Sequence, residues 1–287
     1  MFKGFESKRI QTSGTEIFLK QGGSGPPLLL LHGYPQTHVI WHKIAPALAE
    51  RFTVIAPDLR GYGDSGKPES DAAHTPYSKR AMALDMVEVM AALGFEKFSV
   101  VGHDRGGRVA HRLARDFPSK VEKLAVLDIA PTLHMYENTD MRFANAYYHW
   151  FFLIQPAGLP EQMIGADPAY YLETKLAAWG RTGDAVTREA YNEYLRCFSN
   201  PATIHASCED YRASAGIDLE HDRLDSEKIA TPMLALWGES GFVGGAYDVL
   251  ATWREVAHDV RGQSVPGGHY LPEEAPNETL EALLAFF

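Results

Sequence analysis

The stretch Val-Val-Gly-His-Asp-Arg-Gly-Gly-Arg, residues 100–108, constrains what this chain can fold into more than any other. Phe98, Val100 and Val101 read as a buried strand that turns sharply at Gly102-His103-Asp104-Arg105-Gly106 and enters a helix. Such a Gly-x-nucleophile-x-Gly elbow lifts one side chain above the end of a parallel sheet. Glycine suits both flanks because the strand and helix backbones pass too closely for a Cβ. The lifted residue here is Asp104 rather than Ser or Cys. A carboxylate in that position attacks saturated carbon and forms an ester, which points to alkyl rather than acyl chemistry.

The flanking chain predicts an alternating α/β order. Residues 4–20 alternate around Ser13-Gly14 as an antiparallel hairpin, and Pro27 to Leu31 and Phe52 to Ala56 read as buried strands. Helical spacing of Met82, Met86, Val89 and Met90 marks a helix within Pro76 to Leu93. After the elbow come a helix to about Phe117 and a strand from Leu124 to Ile129, and later strands fall at Met233 to Trp237 and before Gly267-Gly268-His269. Between them, residues 132–228 are helical in pattern and rich in Tyr, Trp and Phe. The expected organisation is a core domain of residues 1–131 and 229–287 with an inserted helical cap domain at 132–228. With 287 residues, 45% hydrophobic and 22% charged, such a chain can bury a full core.

A net charge of −10 argues against nucleic acid or an anionic membrane as a partner. An anionic substrate would have to be captured by a local basic cluster. Two cysteines, Cys197 and Cys208, in a chain this long suggest a reducing, cytoplasmic setting, although a disulfide between them is conceivable. The N-terminal MFKGFESKRI has no apolar core of a signal peptide, and no run of 18 apolar residues occurs.

This order of parts, with the elbow, His32-Gly33-Tyr34-Pro35 and the late Gly-Gly-His, resembles the α/β-hydrolase fold, a mostly parallel twisted sheet flanked by helices. In that fold a histidine after the last strand is the general base, and His269 stands there. A base of this kind needs a carboxylate to fix its tautomer. The stretch after the penultimate strand, Trp237-Gly238-Glu239-Ser240-Gly241, lacks the Asp that relatives carry near Gly241. Leu127-Asp128-Ile129-Ala130 ends an apolar strand with an acid, so Asp128 is the expected partner and Glu239 the fallback.

Arg105 and Arg108 occupy the first turn of the helix after the elbow, where cations oppose the helix dipole by about 0.3–1 kcal/mol each. They share a face beside the nucleophile and ask for an anionic ligand, or else for an acid of the protein. Arg112 and Arg115 read as ordinary ion-pairing residues. The chain narrows further toward the fluoroacetate dehalogenases: it is similar to them in GHDRGGR, in LDIAP at 127–131, in YHW at 148–150 and in EDYR at 209–212. That resemblance implies Asp104 as nucleophile, His269 as base, Asp128 as its partner, and Arg105 and Arg108 on the substrate carboxylate. It further implies His149, Trp150 and Tyr211 around the halide, and Trp179 as a cap residue lining the pocket. The backbone N–H groups of Tyr34 and Arg105 would form the oxyanion hole, with Tyr34 standing where Phe is common.

The halide assignment has its own physical sense. Imidazole, indole and phenol are three donors that an aromatic cap can aim at one point. At about 1.5–3 kcal/mol per charged hydrogen bond, three give roughly 4–9 kcal/mol, or about 10³- to 10⁶-fold in rate. The expected substrate is a small anionic 2-halo acid, with no metal or cofactor, and a second copy of the chain is an expected partner because relatives are often homodimers. An epoxide hydrolase with the same Asp/His/Asp triad is the alternative, casting Tyr147, Tyr148 or Tyr211 as acids.

Overall fold

The computed structural model describes residues 1–180 and 185–287. Eight strands form one sheet: β1 (Glu6–Gln11), β2 (Glu16–Gly22), β3 (Pro27–Leu31), β4 (Thr53–Pro57), β5 (Phe98–His103), β6 (Val121–Leu127), β7 (Met233–Gly238) and β8 (Val260–Val265). Their spatial order is β1-β2-β4-β3-β5-β6-β7-β8. The opening hairpin is antiparallel, β2 joins β4 antiparallel, and every later pair is parallel. This is the α/β-hydrolase architecture that the sequence predicts.

Leu28 to Leu31 and Val54 to Ala56 are fully buried, as strands covered on both faces must be. At about 1.5–3 kcal/mol per buried Leu or Val side chain, this central run is a major apolar contribution to the core. The edge is treated differently. β1 carries Glu6, Lys8 and Arg9 and is largely exposed, which discourages pairing with another chain.

Two helical stretches of the core are interrupted. The stretch leading to Glu50 contains a 3₁₀ turn, His38–Trp41, and a short helix, Ala45–Leu48, with Pro46 in its first turn. The closing helix breaks into Leu271–Glu274 and Pro276–Phe286. Proline lacks the N–H that would bond back to the preceding turn, so each helix starts anew at its proline. Between β6 and β7 the described residues form helices and no strand. These helices pack over the C-terminal ends of the central strands, where ligands bind in open α/β sheets. Among the described residues, no helix is long and apolar enough to cross a membrane. Cys197 and Cys208 are buried free thiols, so the conceivable disulfide is not formed.

Candidate active site

The elbow forms where β5 meets the Arg105–Asp116 helix. A Cβ on Gly102 would collide with the backbone of Gly106 and Gly107, and one on Gly106 with the carbonyls of Leu31 and His32. Asp104 itself takes φ 46° and ψ −115°. Holding a non-glycine residue there costs about 1–3 kcal/mol and persists only where the surroundings enforce it. The Asp104 carboxylate is buried, and its Oδ1 accepts the Tyr34 backbone N–H at 2.9 Å. Burial opposes its charge, but His269, His103, Arg108 and Arg105 outweigh that and hold its pKa below the usual carboxylate value. It is therefore ionised near neutrality.

His269 follows β8 and faces Asp104, with Nε2 3.9 Å from Asp104 Oδ2. Its Nδ1 lies 2.6 Å from Asp128 Oδ2, while Asp128 Oδ1 accepts the Gly238 N–H at 3.0 Å. Burial disfavours the imidazolium, but the hydrogen bond and charge of Asp128, with Asp104 and Glu274, raise its pKa above 6.5. Asp128 also has positive φ, 51°, which turns its carboxylate back toward the histidine. Asp104, His269 and Asp128 are thus brought together as predicted. The fallback acid, Glu239, is exposed and accepts from Ser264 Oγ at 3.3 Å, so it takes no part.

Further supports of the histidine loop carried no sequence signal. His103 Nε2 is hydrogen-bonded to the His269 carbonyl at 2.8 Å, and burial pushes the His103 ring down to about 3, which keeps it neutral. Glu274 accepts the N–H groups of Gly268 and Tyr270 at 2.9 and 2.8 Å. The His269 N–H donates to the Trp179 carbonyl at 3.0 Å.

The two arginines differ. Arg105 is fully buried and pairs with Asp210, through Nε at 2.9 Å and Nη2 at 2.6 Å, and Nη2 also reaches Ser214. Of the two uses that the sequence allows for Arg105, pairing with an acid therefore occupies most of its guanidinium, and only Nη1 is left without a protein partner. Asp210 additionally accepts from Lys79 Nζ and from Tyr62 Oη. Despite burial, Arg105 and Lys79 hold Asp210 well below the usual carboxylate range. Asp210 sits inside the EDYR motif, yet nothing in the motif shows which basic residue it meets, 105 positions earlier in the chain.

Arg108 has no carboxylate hydrogen-bonded to it among the described residues. Its Nη1 donates to Thr132 Oγ1 at 2.7 Å and to the Ala130 carbonyl at 3.2 Å, and its guanidinium lies 4.6 Å from the Trp150 ring. Burial and Arg105 lower its pKa. Arg112, in contrast, pairs with Asp116, Asp222 and Asp225, and Arg115 with Asp225, as expected of residues remote from the nucleophile.

The helical insert supplies the aromatic side. His149, Trp150 and Tyr211 are buried, with the His149 and Tyr211 rings 5.4 Å apart and those of Trp150 and Tyr211 6.4 Å apart. Tyr211 also stacks 4.1 Å above the Arg105 guanidinium. Burial, reinforced by Lys175 and His269, keeps His149 neutral; burial and Asp104 keep Tyr211 a protonated phenol. His149 Nδ1, Trp150 Nε1 and Tyr211 Oη have no protein hydrogen-bond partner, like Arg105 Nη1 and Arg108 Nε. A buried unpaired polar group costs about 1–3 kcal/mol, so five in one site make it a strong acceptor-binding environment. Trp179 packs 4.5 Å from the His149 ring and 5.7 Å from His269. The extra hydroxyl of Tyr34 is spent on Tyr171 at 3.1 Å rather than on the nucleophile. Among the described residues, no group of three or more His, Cys, Asp or Glu could hold a metal ion.

The alpha/beta hydrolase fold family matches residues 26–276. A fluoroacetate dehalogenase from Burkholderia sp. is 46% identical over 288 residues, covering 100% of this chain and 95% of that protein. A soluble epoxide hydrolase from Corynebacterium sp. (strain C12) is 38% identical over 96% of this chain and 94% of its own length. The solved structure of ALR0039 from Nostoc sp PCC 7120 superposes with a TM-score of 0.99 at 63% identity, covering 100% of this chain and 99% of that one.

Proposed function

The chain belongs to the alpha/beta hydrolase family and is a hydrolase of carbon–halide bonds; on that premise we propose that it converts haloacetates, fluoroacetate among them, to glycolate through an ester on Asp104. The observation that carries this reading is Arg108, a buried cation with no carboxylate hydrogen-bonded to it among the described residues, beside the ionised carboxylate of Asp104 and beneath unpaired donors. A substrate carboxylate gives Arg108 its counter-ion and the free Nη1 of Arg105 an acceptor. Residues 132–228 then act as a cap domain over a core of residues 1–131 and 229–287.

In the first step Asp104 Oδ2 attacks C2 in line, the carbon–halogen bond breaks, and the halide takes both bonding electrons. His149, Trp150 and Tyr211 donate to it as its charge develops. Alkylation removes the negative charge of Asp104, one of the groups that raises the His269 pKa. The imidazole then loses its proton more readily and serves as base in the second step. His269 takes a proton from water, whose oxygen attacks Cγ of the ester. The resulting oxyanion forms on Oδ1, which already accepts the Tyr34 N–H. The Arg105 N–H, the first of its helix, lacks an intrahelical acceptor and is the second donor in this reading. Collapse breaks the bond between Cγ and Oδ2, the imidazolium returns its proton to the departing glycolate oxygen, and the regenerated Asp104 carboxyl loses its proton to solvent.

Halide release from fluoro-, chloro- and bromoacetate tests the reaction, and one turnover in ¹⁸O-water places label in Asp104. Label found only in glycolate after that turnover overturns the ester route. Epoxide opening is the second reading, favoured by the buried protonated phenol of Tyr211 and by the Corynebacterium relative. A neutral epoxide gives Arg108 no counter-ion, and Tyr148, 46% exposed, lies at the surface, which sets this reading second. Diol formation from an epoxide panel without halide release from haloacids would reverse the order.

A further inference from the structure

A cavity of about 410 Å³ has Trp179 and His269 in its lining. Its outer residues include exposed Arg142, Tyr148 and Thr174, and its inner ones the buried His269. It therefore reaches from the surface to the catalytic base. Among the described residues no Asp or Glu lines it, although the whole chain carries a net charge of −10.

Lys175 lies in this wall and is only 1% exposed. Buried lysines are ordinarily paired with an acid, or extend their stems to keep the ammonium in water. The Lys175 ammonium instead sits 3.5 Å from the Tyr148 ring centroid, 5.1 Å from Trp179 and 5.4 Å from Tyr171. Burial alone, with no carboxylate to offset it, pushes this ammonium down to about 7. Its charge also reaches into the site, where it helps lower the His149 pKa. Arg142 at the rim is likewise engaged without an acid: it donates to the Gly245 carbonyl at 2.7 Å and lies 5.7 Å from the Phe242 ring.

We propose, resting on the haloacid reading above, that Lys175 is the anion-transfer residue of this channel, receiving the substrate carboxylate from the Arg142 rim and handing it inward to Arg108. The halide leaves by the same relay. Aromatic faces stabilise a cation without neutralising it, so below about pH 7 the Lys175 ammonium stays available to a passing anion, whereas a carboxylate partner would compete with every substrate. A chain of cations in a low-dielectric wall concentrates anions where the overall field repels them.

The test compares the full-length protein with Lys175→Met, Lys175→Arg and the rim variant Arg142→Gln. For chloroacetate at low ionic strength, Lys175→Met should lower kcat/KM about tenfold, with the loss concentrated in kcat/KM rather than kcat. Raising the salt should shrink the gap, because screening removes the same attraction from the wild type. Lys175→Arg should restore most of the rate and the salt dependence, and Arg142→Gln should show a smaller version of the same loss. Identical kcat/KM and salt slopes in wild type and Lys175→Met overturn the assignment. Quenching of Trp179 fluorescence, isolated with Trp179→Phe, decides it without turnover. Iodide should quench Trp179 less in Lys175→Met while acrylamide quenches both alike; equal iodide quenching overturns the assignment. If the wild type releases no halide from any haloacid, the proposed reaction fails, and the quenching still decides the role of Lys175.

Discussion

The two halves of the site are built on opposite principles. On the core side the catalytic carboxylates and the histidine loop are tied by hydrogen bonds: Asp104 to Tyr34, His269 to Asp128, Asp128 to Gly238, and the flanking loop to Glu274. On the side contributed by the helical insert, the buried donors of His149, Trp150 and Tyr211 have no protein partner. The paired half is complete in itself and fixes where Asp104 and His269 stand. The unpaired half leaves donors for something that arrives, and in the proposed reaction that is the leaving group. Under that proposal, reaction type and substrate choice sit on different elements of the fold.

Breaking the core half should have the largest effects. Asp104→Asn removes the nucleophile, and halide release should fall at least about 10⁴-fold, measured by ion-selective electrode or chromatography. His269→Asn leaves the first step and stops the second. One equivalent of halide should appear in a burst, with the ester on Asp104 visible by mass spectrometry. Lowering the pH should mimic this partially. Asp128 raises the His269 pKa in the free enzyme, with Asp104 adding to it; in the ester the Asp104 contribution is gone, so hydrolysis should slow as pH falls through the lower imidazole pKa of the ester, while Asp104 of the free enzyme stays ionised. A burst that survives acidification while steady turnover declines would be the signature.

The junction between the halves comes next. Asp210→Asn strands the buried charge of Arg105 and leaves Lys79 with Asp218 alone, and should cost about 3–5 kcal/mol of stability, read from urea unfolding, with a raised KM for haloacids. Within the unpaired half, Trp150→Phe removes one donor. It should slow the first step about 10- to 100-fold with fluoroacetate and less with bromoacetate, whose leaving group needs less help. Equal losses for both halides would dissolve the distinction between the halves. The smallest effect belongs to Tyr34→Phe: losing the bond to Tyr171 should reduce stability by about 0.5–1.5 kcal/mol.

What could be read in advance follows the same divide. The elbow was legible because its requirements are local: glycines at 102 and 106 follow from a backbone that has no room for Cβ, and they flank the one raised side chain, Asp104. The sheet was legible because Pro27–Leu31 and Thr53–Pro57 are too apolar to be anything but doubly covered strands. Interruptions at Pro46 and Pro276 were readable in principle, since proline resets a helix wherever it falls. The partner of Arg105 was not legible. Composition shows many acids, and only the packing of the insert selects Asp210 among them. The same holds for Lys175, an ordinary lysine on a helical pattern until three aromatic rings are seen to surround its ammonium.

The Arg105–Asp210 pair joins the helix after the elbow to the Pro201–Ala215 helix of the insert, and both residues are shielded from water. Lifting the insert would separate these charges inside the protein. If separation costs about 3–5 kcal/mol, as removal of a partner does, the lifted state is populated about 10²- to 10⁴-fold less than it would be without them. The pair therefore acts as a rivet. A ligand that reaches Asp104 with the insert in place is one small enough to pass it, and the charge that holds the insert down is carried by the residue next to Asp104.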